Sequence, residues 1–198
     1  MNVKTYYYST NITAHPFENK HVKRLIGQII DKLHRRKGFE LATDYEIGIV
    51  DPFCNNKTTR MQGTKLTTND LNPEFNADYC MEANDFAELM LKKQQKYDLI
   101  LFDPPYSLRQ LKELYNGIGK DLELWQTQNM WGRAKNALGQ CVKPGGYAIT
   151  FGWSTSGFGK RRGFEKKEIH VLCQQGRDDR YDLLITVEQK PDRSIFEY

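Results

Sequence analysis

Residues 97–107, with the sequence YDLILFDPPYS, constrain the fold of this chain more than any other stretch. The apolar run at 99–102 does not alternate with polar residues, which is typical of a strand buried on both faces of a parallel sheet. Proline has no N–H for the ladder, so we expect this strand to end near Asp103. Ligands of open α/β sheets bind just outside the carboxyl ends of strands, so Asp103 and Tyr106 lie at a predicted site.

The tetrapeptide Asp103-Pro104-Pro105-Tyr106 places two acceptors beside an aromatic ring. The two prolines fix their φ angles and remove two donors, which leaves the Asp103 carboxylate and the Pro104 carbonyl. A planar substrate with an NH₂ group matches this set, since each acceptor takes one amine hydrogen and the ring stacks on Tyr106. The alternative interpretation is a strand followed by a proline-stiffened turn without chemistry.

Length and charge bound the class of protein. A chain of 198 residues is enough for one α/β domain, so we expect a single domain over residues 1–198 and no separate target-recognition domain. A net charge of +4 and a pI near 8.8 are compatible with nucleic acid as a partner.

The cysteines and the N-terminal sequence favour an intracellular protein. No C-x-x-C pair is present, which indicates buried thiols of a reducing compartment and predicts no metal site. The N-terminus lacks the apolar stretch of a signal peptide and no run reaches membrane-spanning length, so we expect a cytoplasmic protein without membrane contact. The cysteines are Cys54, Cys80, Cys141 and Cys173.

The order of apolar segments predicts an α/β fold. A helical stripe of apolar residues runs from Val22 to Leu33, and further helices are predicted at 86–96 and 131–142. Strands alternating with helices indicate a mostly parallel, seven-stranded sheet with helices on both faces, closed by an antiparallel C-terminal hairpin. The tyrosines at 6–8 fit either an edge strand or a partner surface. The predicted strands are 46–50, 65–69, 78–83, 99–102, 147–153, 169–173 and 181–187.

Acidic residues follow three of these strands. Asp51 and Asp70 are 19 residues apart, close to the spacing at which an acid at the end of the second strand reaches ribose hydroxyls. Asp85 follows the third strand. Acids at strand ends are harder to explain as core residues than the neighbouring Phe53 and Phe86, for which a plain core position is the alternative.

Together these segments resemble the amino-methyltransferases, class I S-adenosylmethionine (AdoMet)-dependent enzymes that methylate exocyclic amines of nucleic-acid bases. Small phage-type DNA adenine-N6 methyltransferases look most similar, and the resemblance covers roughly residues 13–190. It implies a Rossmann-like class I methyltransferase fold, AdoMet as cofactor, and catalysis by Asp103, Pro104, Pro105 and Tyr106. The implied cofactor-binding residues are His15, Pro16, Lys20, Asp51, Pro52, Phe53, Asp70, Asp85 and Phe86.

One part of the pattern departs from the family. The family's cofactor loop usually runs Asp-Pro-Phe-x-Gly-x-Gly, whereas Asn55 and Lys57 occupy the glycine positions here. Glycine permits left-handed backbone and close approach to a ligand. Asparagine tolerates left-handed backbone better than most residues, so we expect Asn55 to replace glycine in part. A more open or weaker cofactor pocket is expected.

The resemblance predicts transfer of a methyl group to a base amine, with adenine N6 in DNA favoured. The alternatives are methylation of an RNA base amine of the guanine-N2 type, and a non-catalytic relative that binds AdoMet or nucleic acid. DNA is the expected partner, with RNA the second choice. A base inside a duplex cannot reach the tetrapeptide, so it must be flipped out or single-stranded.

A basic segment follows the fifth predicted strand. Lys160, Arg161 and Arg162 lie between Phe158 and Phe164, and basic residues interleaved with aromatics suit a nucleic-acid backbone groove. We expect this segment on the same edge of the sheet as the tetrapeptide. A solvated loop is the alternative.

Overall fold

Eight strands in one sheet form the centre of the protein, in a computed structural model that describes residues 1–8, 16–36, 46–55, 58, 61–122, 131–174 and 182–192. The strands are β1 (Asn2–Tyr8), β2 (Ile47–Asp51), β3 (Thr64–Asp70), β4 (Tyr79–Cys80), β5 (Tyr97–Phe102), β6 (Val142–Gly152), β7 (Glu165–Gln174) and β8 (Leu183–Gln189). The described α-helices are α1 (Lys20–Arg36), α2 (Ala83–Lys92), α3 (Leu108–Gly117) and α4 (Gly132–Cys141), and short 3₁₀ helices span Pro16–Glu18 and Lys160–Arg162.

The sheet is parallel except for one strand. Its order is β1-β7-β8-β6-β5-β2-β3-β4, and β8 runs antiparallel to both neighbours, β6 and β7. The predicted class, a mostly parallel α/β sheet with an antiparallel C-terminal hairpin, is therefore confirmed. The predicted number of seven strands is one too few, because β1 adds an eighth, parallel to β7. The tyrosines at 6–8 thus belong to an edge strand.

Helices cover both faces of the sheet, as predicted. On one face, α1 buries its apolar stripe against β2 and β5, and Ile29, Ile49 and Leu99 belong to one buried cluster. On the other face, α2 and α4 pack over Val50 and Ile100. Successive residues of a strand point to opposite faces, so the unbroken apolar run of β5 supplies both layers.

Several boundaries differ from the prediction. Helix α2 starts at Ala83, three residues before the predicted start, and β4 is only two residues long. Strand β6 begins at Val142, which was predicted as the last residue of the preceding helix. Residues 143–146, predicted as a turn, form an irregularity of the ladder between the pairs with Tyr97 and Leu99. Gly146 belongs to that irregularity, where an added Cβ would lie 2.9 Å from the carbonyl oxygen of Asp98.

The cysteine prediction is correct in part. None of the four cysteines, all within the described residues, forms a disulfide. Cys54 and Cys141 are buried, but Cys173 is partly exposed and Cys80 is exposed on β4. Because β4 is a two-residue edge strand, its side chains have few neighbours. No helix within the described ranges is long and apolar enough to cross a membrane.

Candidate active site

The predicted site residues after β5 lie where the sequence places them. All six residues of β5 are buried, and the strand ends at Phe102, directly before Asp103. The tetrapeptide therefore leaves the sheet at the edge where the parallel strands end. The prediction that the prolines stop the strand is confirmed.

A cavity of about 480 Å³ opens beside this edge. Asp70 at the end of β3 and Asp103 after β5 both line it, together with the loop that follows β2. Helix α3 forms one wall and Trp131, before α4, forms another. The predicted residues that line the cavity are Pro52, Phe53, Asp70, Asp103, Pro104, Pro105 and Tyr106.

Hydrogen bonds fix the geometry of the tetrapeptide. The Tyr106 hydroxyl donates to Oδ1 of Asp103 at 2.5 Å, and the Tyr106 backbone N–H donates to Oε1 of Gln110 at 2.7 Å. The Tyr106 ring also packs edge-on against Trp153, with 5.7 Å between ring centroids. The Tyr106 bond uses Oδ1 of Asp103, which leaves Oδ2 as the oxygen for a substrate hydrogen.

Burial raises the pKa of two acids, Asp103 in the tetrapeptide and the nearby Asp51. It raises the pKa of Asp103 to about 8, since the hydrogen bond from Tyr106 only partly offsets desolvation and the nearby Asp51 opposes a second negative charge. It also raises the pKa of Asp51 to about 7, against hydrogen bonds from the Thr58 hydroxyl and the Phe53 N–H. Asp51 itself is fully buried beneath the cavity and does not line it.

The loop after β2 confirms the expectation for Asn55. Its φ angle is +35°, in the left-handed region where the family usually has glycine. The Asn55 N–H donates to Oδ2 of Asp70 at 3.0 Å, and the Asn72 N–H donates to Oδ1 at 2.9 Å. These bonds hold the Asp70 carboxylate at the cavity wall. Lys57 lies outside the described residues.

The structure does not bring Asp85 and Phe86 to the cavity. Asp85 is exposed on α2 and pairs with Arg133 at 3.5 Å. Phe86 is a fully buried core residue against Tyr79, as the alternative interpretation held. The residues just before α2, among them Glu82, line the cavity instead.

Three cavity residues on or beside helices were missed by sequence reasoning. Tyr115 on α3 donates a 2.6 Å hydrogen bond to Oε2 of Glu82, which ties α3 to the segment before α2. Trp131 packs edge-on against Phe53 at 4.8 Å. Gln110 had a readable signal, since Ser107-x-x-Gln110 has the spacing of a helix-capping box. Tyr115 and Trp131 have no local sequence pattern that would have predicted them as cavity residues.

Two of the predicted N-terminal cofactor residues, Pro16 and Lys20, lie apart from the cavity. Pro16 is buried and its neighbour Phe17 packs against Phe151 at 5.2 Å, while Lys20 is exposed at the start of α1. Neither Pro16 nor Lys20 lines the cavity. His15 lies outside the described residues, so its role stays a prediction.

The expected location of the basic segment is wrong. Glu165, the first residue of β7, pairs with Gln189, which pairs with Tyr147 near the start of β6. The 3₁₀ helix Lys160–Arg162 directly precedes Glu165, so it lies towards the edge where the parallel strands begin, opposite the tetrapeptide. None of its three residues lines the cavity.

The aromatic residues of this segment are core residues. Phe158 and Phe164 are buried against α4 and β5, so they offer no stacking surface for a base. The buried Glu188 accepts hydrogen bonds from the N–H groups of Phe158 and Gly159, which anchors the segment. Arg162 donates to Oδ1 of Asn136 at 2.7 Å, whereas Lys160 and Arg161 are exposed.

Comparisons with known proteins give only distant similarities. No protein-family model and no curated protein matches the sequence. Among solved structures, TrmN from Thermus thermophilus is 15% identical, with a TM-score of 0.49 over 96% of this chain and 71% of that one. The 1,6-didemethyltoxoflavin-N1-methyltransferase from Burkholderia thailandensis, with bound S-adenosylhomocysteine, is 10% identical, with a TM-score of 0.49 over 91% and 88%.

A putative SAM-dependent methyltransferase from Streptococcus mutans is also similar, at 12% identity and a TM-score of 0.47. The match covers 79% of this chain and 48% of that one, so the chain spans about half the length of that protein. Likenesses this distant add nothing to the strand order and side-chain geometry described above.

Proposed function

We propose that this chain transfers a methyl group from AdoMet to an exocyclic amine of a nucleic-acid base, with adenine N6 in DNA as the favoured substrate. The observation that carries the proposal is that Asp70, after β3, and the tetrapeptide, after β5, line one cavity. Two separate strand ends thus present a carboxylate for hydroxyl groups and an acceptor pair for an amine in the same space.

The cavity fits a cofactor of this kind. Its volume of about 480 Å³ lies within the usual range for small-molecule sites. Asp70 would accept the ribose hydroxyls, with its carboxylate already oriented by Asn55 and Asn72. Phe53 and Trp131 supply apolar walls. AdoMet supplies an electrophilic methyl group on a cationic sulfonium.

Asp103 acts on the substrate amine in this proposal. An aromatic amine is a poor nucleophile because its lone pair is delocalised into the ring. Oδ2 of Asp103 and the Pro104 carbonyl would hold the two amine hydrogens, which favours a pyramidal nitrogen with its lone pair free. Holding the reacting groups in this orientation contributes several kcal/mol to lowering the barrier.

The ionised form of Asp103 is the one that accepts the amine. In the free protein its pKa is about 8, the net result of burial, the Tyr106 hydrogen bond and the nearby Asp51, so most of the free enzyme is protonated at neutral pH. A positive charge near a carboxylate lowers its pKa. A cationic cofactor beside Asp103 therefore favours the active form, and by the same linkage the ionised Asp103 favours cofactor binding. The hydrogen bonds of Asp103 go to the substrate amine in this proposal.

Incubation with methyl-labelled AdoMet and separate pools of DNA, RNA and protein tests the proposal. We expect label in DNA and N6-methyladenine after digestion to nucleosides, with no label from the Asp103→Ala variant. N2-methylguanine in RNA would instead support the alternative, methylation of an RNA base amine of the guanine-N2 type. Label in no pool, or ring-carbon methylcytosine, would overturn the proposal, since carbon methylation needs a cysteine nucleophile and the tetrapeptide has none.

A further inference from the structure

The side-chain amide of Gln110 has a fixed orientation. Its Oε1 accepts the backbone N–H of Tyr106 at 2.7 Å. A flipped amide would face one N–H group with another, so the hydrogen-bond network assigns oxygen to this side. The NH₂ group therefore points away from Tyr106 with two hydrogens to donate.

This NH₂ group belongs to the wall of the cavity. Gln110 lines the cavity together with Asp103 and Pro104, and it is only half-buried. Within the described part of the chain, no residue accepts a hydrogen bond from its Nε2. A donor is thus available in the same cavity as the two acceptors that we assign to the substrate amine.

The combination of acceptors and donor distinguishes between bases. Adenine has an unprotonated ring nitrogen, N1, next to the carbon that bears its amine, and cytosine has N3 in the same relation. Guanine carries a hydrogen on N1, and its only unprotonated nitrogen beside the amine lies on the sugar edge. A donor in the same cavity as the amine-binding acceptors therefore favours adenine or cytosine presented by the Watson–Crick edge.

We infer that Gln110 is a specificity-determining residue that donates a hydrogen bond to N1 of the flipped adenine. This inference rests on the proposed function and adds the reason why adenine is chosen over guanine. Gln110 positions the base, while Asp103 and Pro104 hold the amine that reacts.

Gln110 also has a structural role, which the test must separate. Its backbone N–H donates to the Ser107 hydroxyl at 3.2 Å at the start of α3, and its side chain returns to Tyr106. This is a variant of the capping box, in which glutamate serves as well as glutamine. Gln110→Glu keeps the acceptor for Tyr106 and removes the donor to the base, so it separates the two roles.

The experiment compares kcat/KM on single-stranded DNA with one target adenine and on the same DNA with an analogue that has CH in place of N1. The enzymes are the wild type, Gln110→Ala, Gln110→Glu and, as a control with the same charge change as Gln110→Glu, Lys112→Gln. Lys112 is exposed on α3 and does not line the cavity. Calorimetry with AdoMet checks that each variant keeps the cofactor site.

On adenine, we expect both Gln110 variants to lose about tenfold or more in kcat/KM, as for a lost hydrogen bond to a buried acceptor. On the analogue, Gln110→Glu should lose little further, because the acceptor is already gone. Gln110→Ala also loses the bond to the Tyr106 N–H, so any structural loss it carries should appear on both substrates. Lys112→Gln should match the wild type on both substrates.

An equal loss by Gln110→Glu on both substrates, or wild-type kinetics for Gln110→Glu, would overturn the inference and leave the proposed function intact. A wild type that methylates neither substrate would instead count against the proposed function, and the inference would fail with it.

Discussion

The hydroxyl of Tyr106 donates a 2.5 Å hydrogen bond to Oδ1 of Asp103, which joins the ring and the carboxylate of the tetrapeptide into one unit. From the sequence, Tyr106 is expected to serve through its ring alone. The structure adds an electrostatic role for the hydroxyl, because its hydrogen bond lowers the pKa of Asp103 against the effect of burial.

The Tyr106→Phe variant tests this role. Loss of the donor should raise the pKa of Asp103 above its value of about 8, so the rise of kcat/KM with pH should move to higher pH. Activity should fall below that of the wild type at neutral pH and approach it in alkaline solution, since the ring still stacks. Tyr106→Ala should stay low at every pH. An unshifted pH profile for Tyr106→Phe would contradict the role assigned to the hydroxyl.

Asp103→Asn tests the raised pKa without any assay of activity. In the unfolded chain Asp103 titrates near 3.8, and in the folded protein near 8. Between these pH values the folded state keeps a proton that the unfolded state has lost, so the free energy of unfolding falls as pH rises. The asparagine amide of the variant does not titrate in this range, so the variant lacks this fall in the free energy of unfolding.

Denaturant unfolding at about pH 5 and about pH 9 measures the effect. The free energy of unfolding of Asp103→Asn, taken relative to the wild type, should rise by at least about 1.4 kcal/mol from the lower pH to the higher one, the equivalent of one pKa unit. Asp85→Asn is the control, because Asp85 is exposed on α2. Parallel stability curves for wild type and Asp103→Asn would show that burial does not hold the proton.

Asp70→Ala should weaken AdoMet binding by about 1–3 kcal/mol, the cost of losing hydrogen bonds to a charged acceptor. Calorimetry measures the change. Asp85→Ala is the matched control, because Asp85 also follows a strand in the sequence but does not line the cavity. Equal losses in both variants would contradict the placement of the cofactor, and no binding by the wild type at millimolar AdoMet would rule out the cofactor.

The double variant Lys160→Gln/Arg161→Gln tests the basic 3₁₀ helix while leaving Arg162, which holds Asn136, in place. If both cations contact phosphates, the slope of log K against log salt concentration for DNA binding should become shallower by up to about 2 units. AdoMet affinity should stay the same, since the helix lies opposite the cavity. Lys23→Gln/Lys92→Gln, at exposed positions on α1 and α2, controls for total charge. An unchanged salt slope would identify Lys160–Arg162 as a solvated surface.

Local patterns in the sequence were enough to place the central strand and the acid that follows it. The apolar run of β5 can only be buried on both faces, and the prolines after Asp103 end its ladder whatever the neighbouring strands do. The left-handed backbone at Asn55 follows in the same way from the intrinsic tolerance of asparagine. The apolar stripe of α1 likewise requires one buried face.

The exclusion of Asp85 and Phe86 from the cavity needed the tertiary structure. Each residue of a helix turns by about 100°, so a start at Ala83 points Phe86 into the core and Asp85 towards solvent. The sequence does not determine that start to better than a few residues. A shift of this size is enough to exchange a site residue for a core residue.

The path of the basic segment was decided by contacts between distant parts of the chain. Glu188 on β8 binds the N–H groups of Phe158 and Gly159, some thirty residues earlier, and so directs the segment along α4 to the opposite edge. The sequence by itself determined the strands β2, β3 and β5 and the acids at their ends, because those preferences are local. Only the tertiary structure decided which side chains share a cavity, because that depends on pairings between segments that the sequence does not specify.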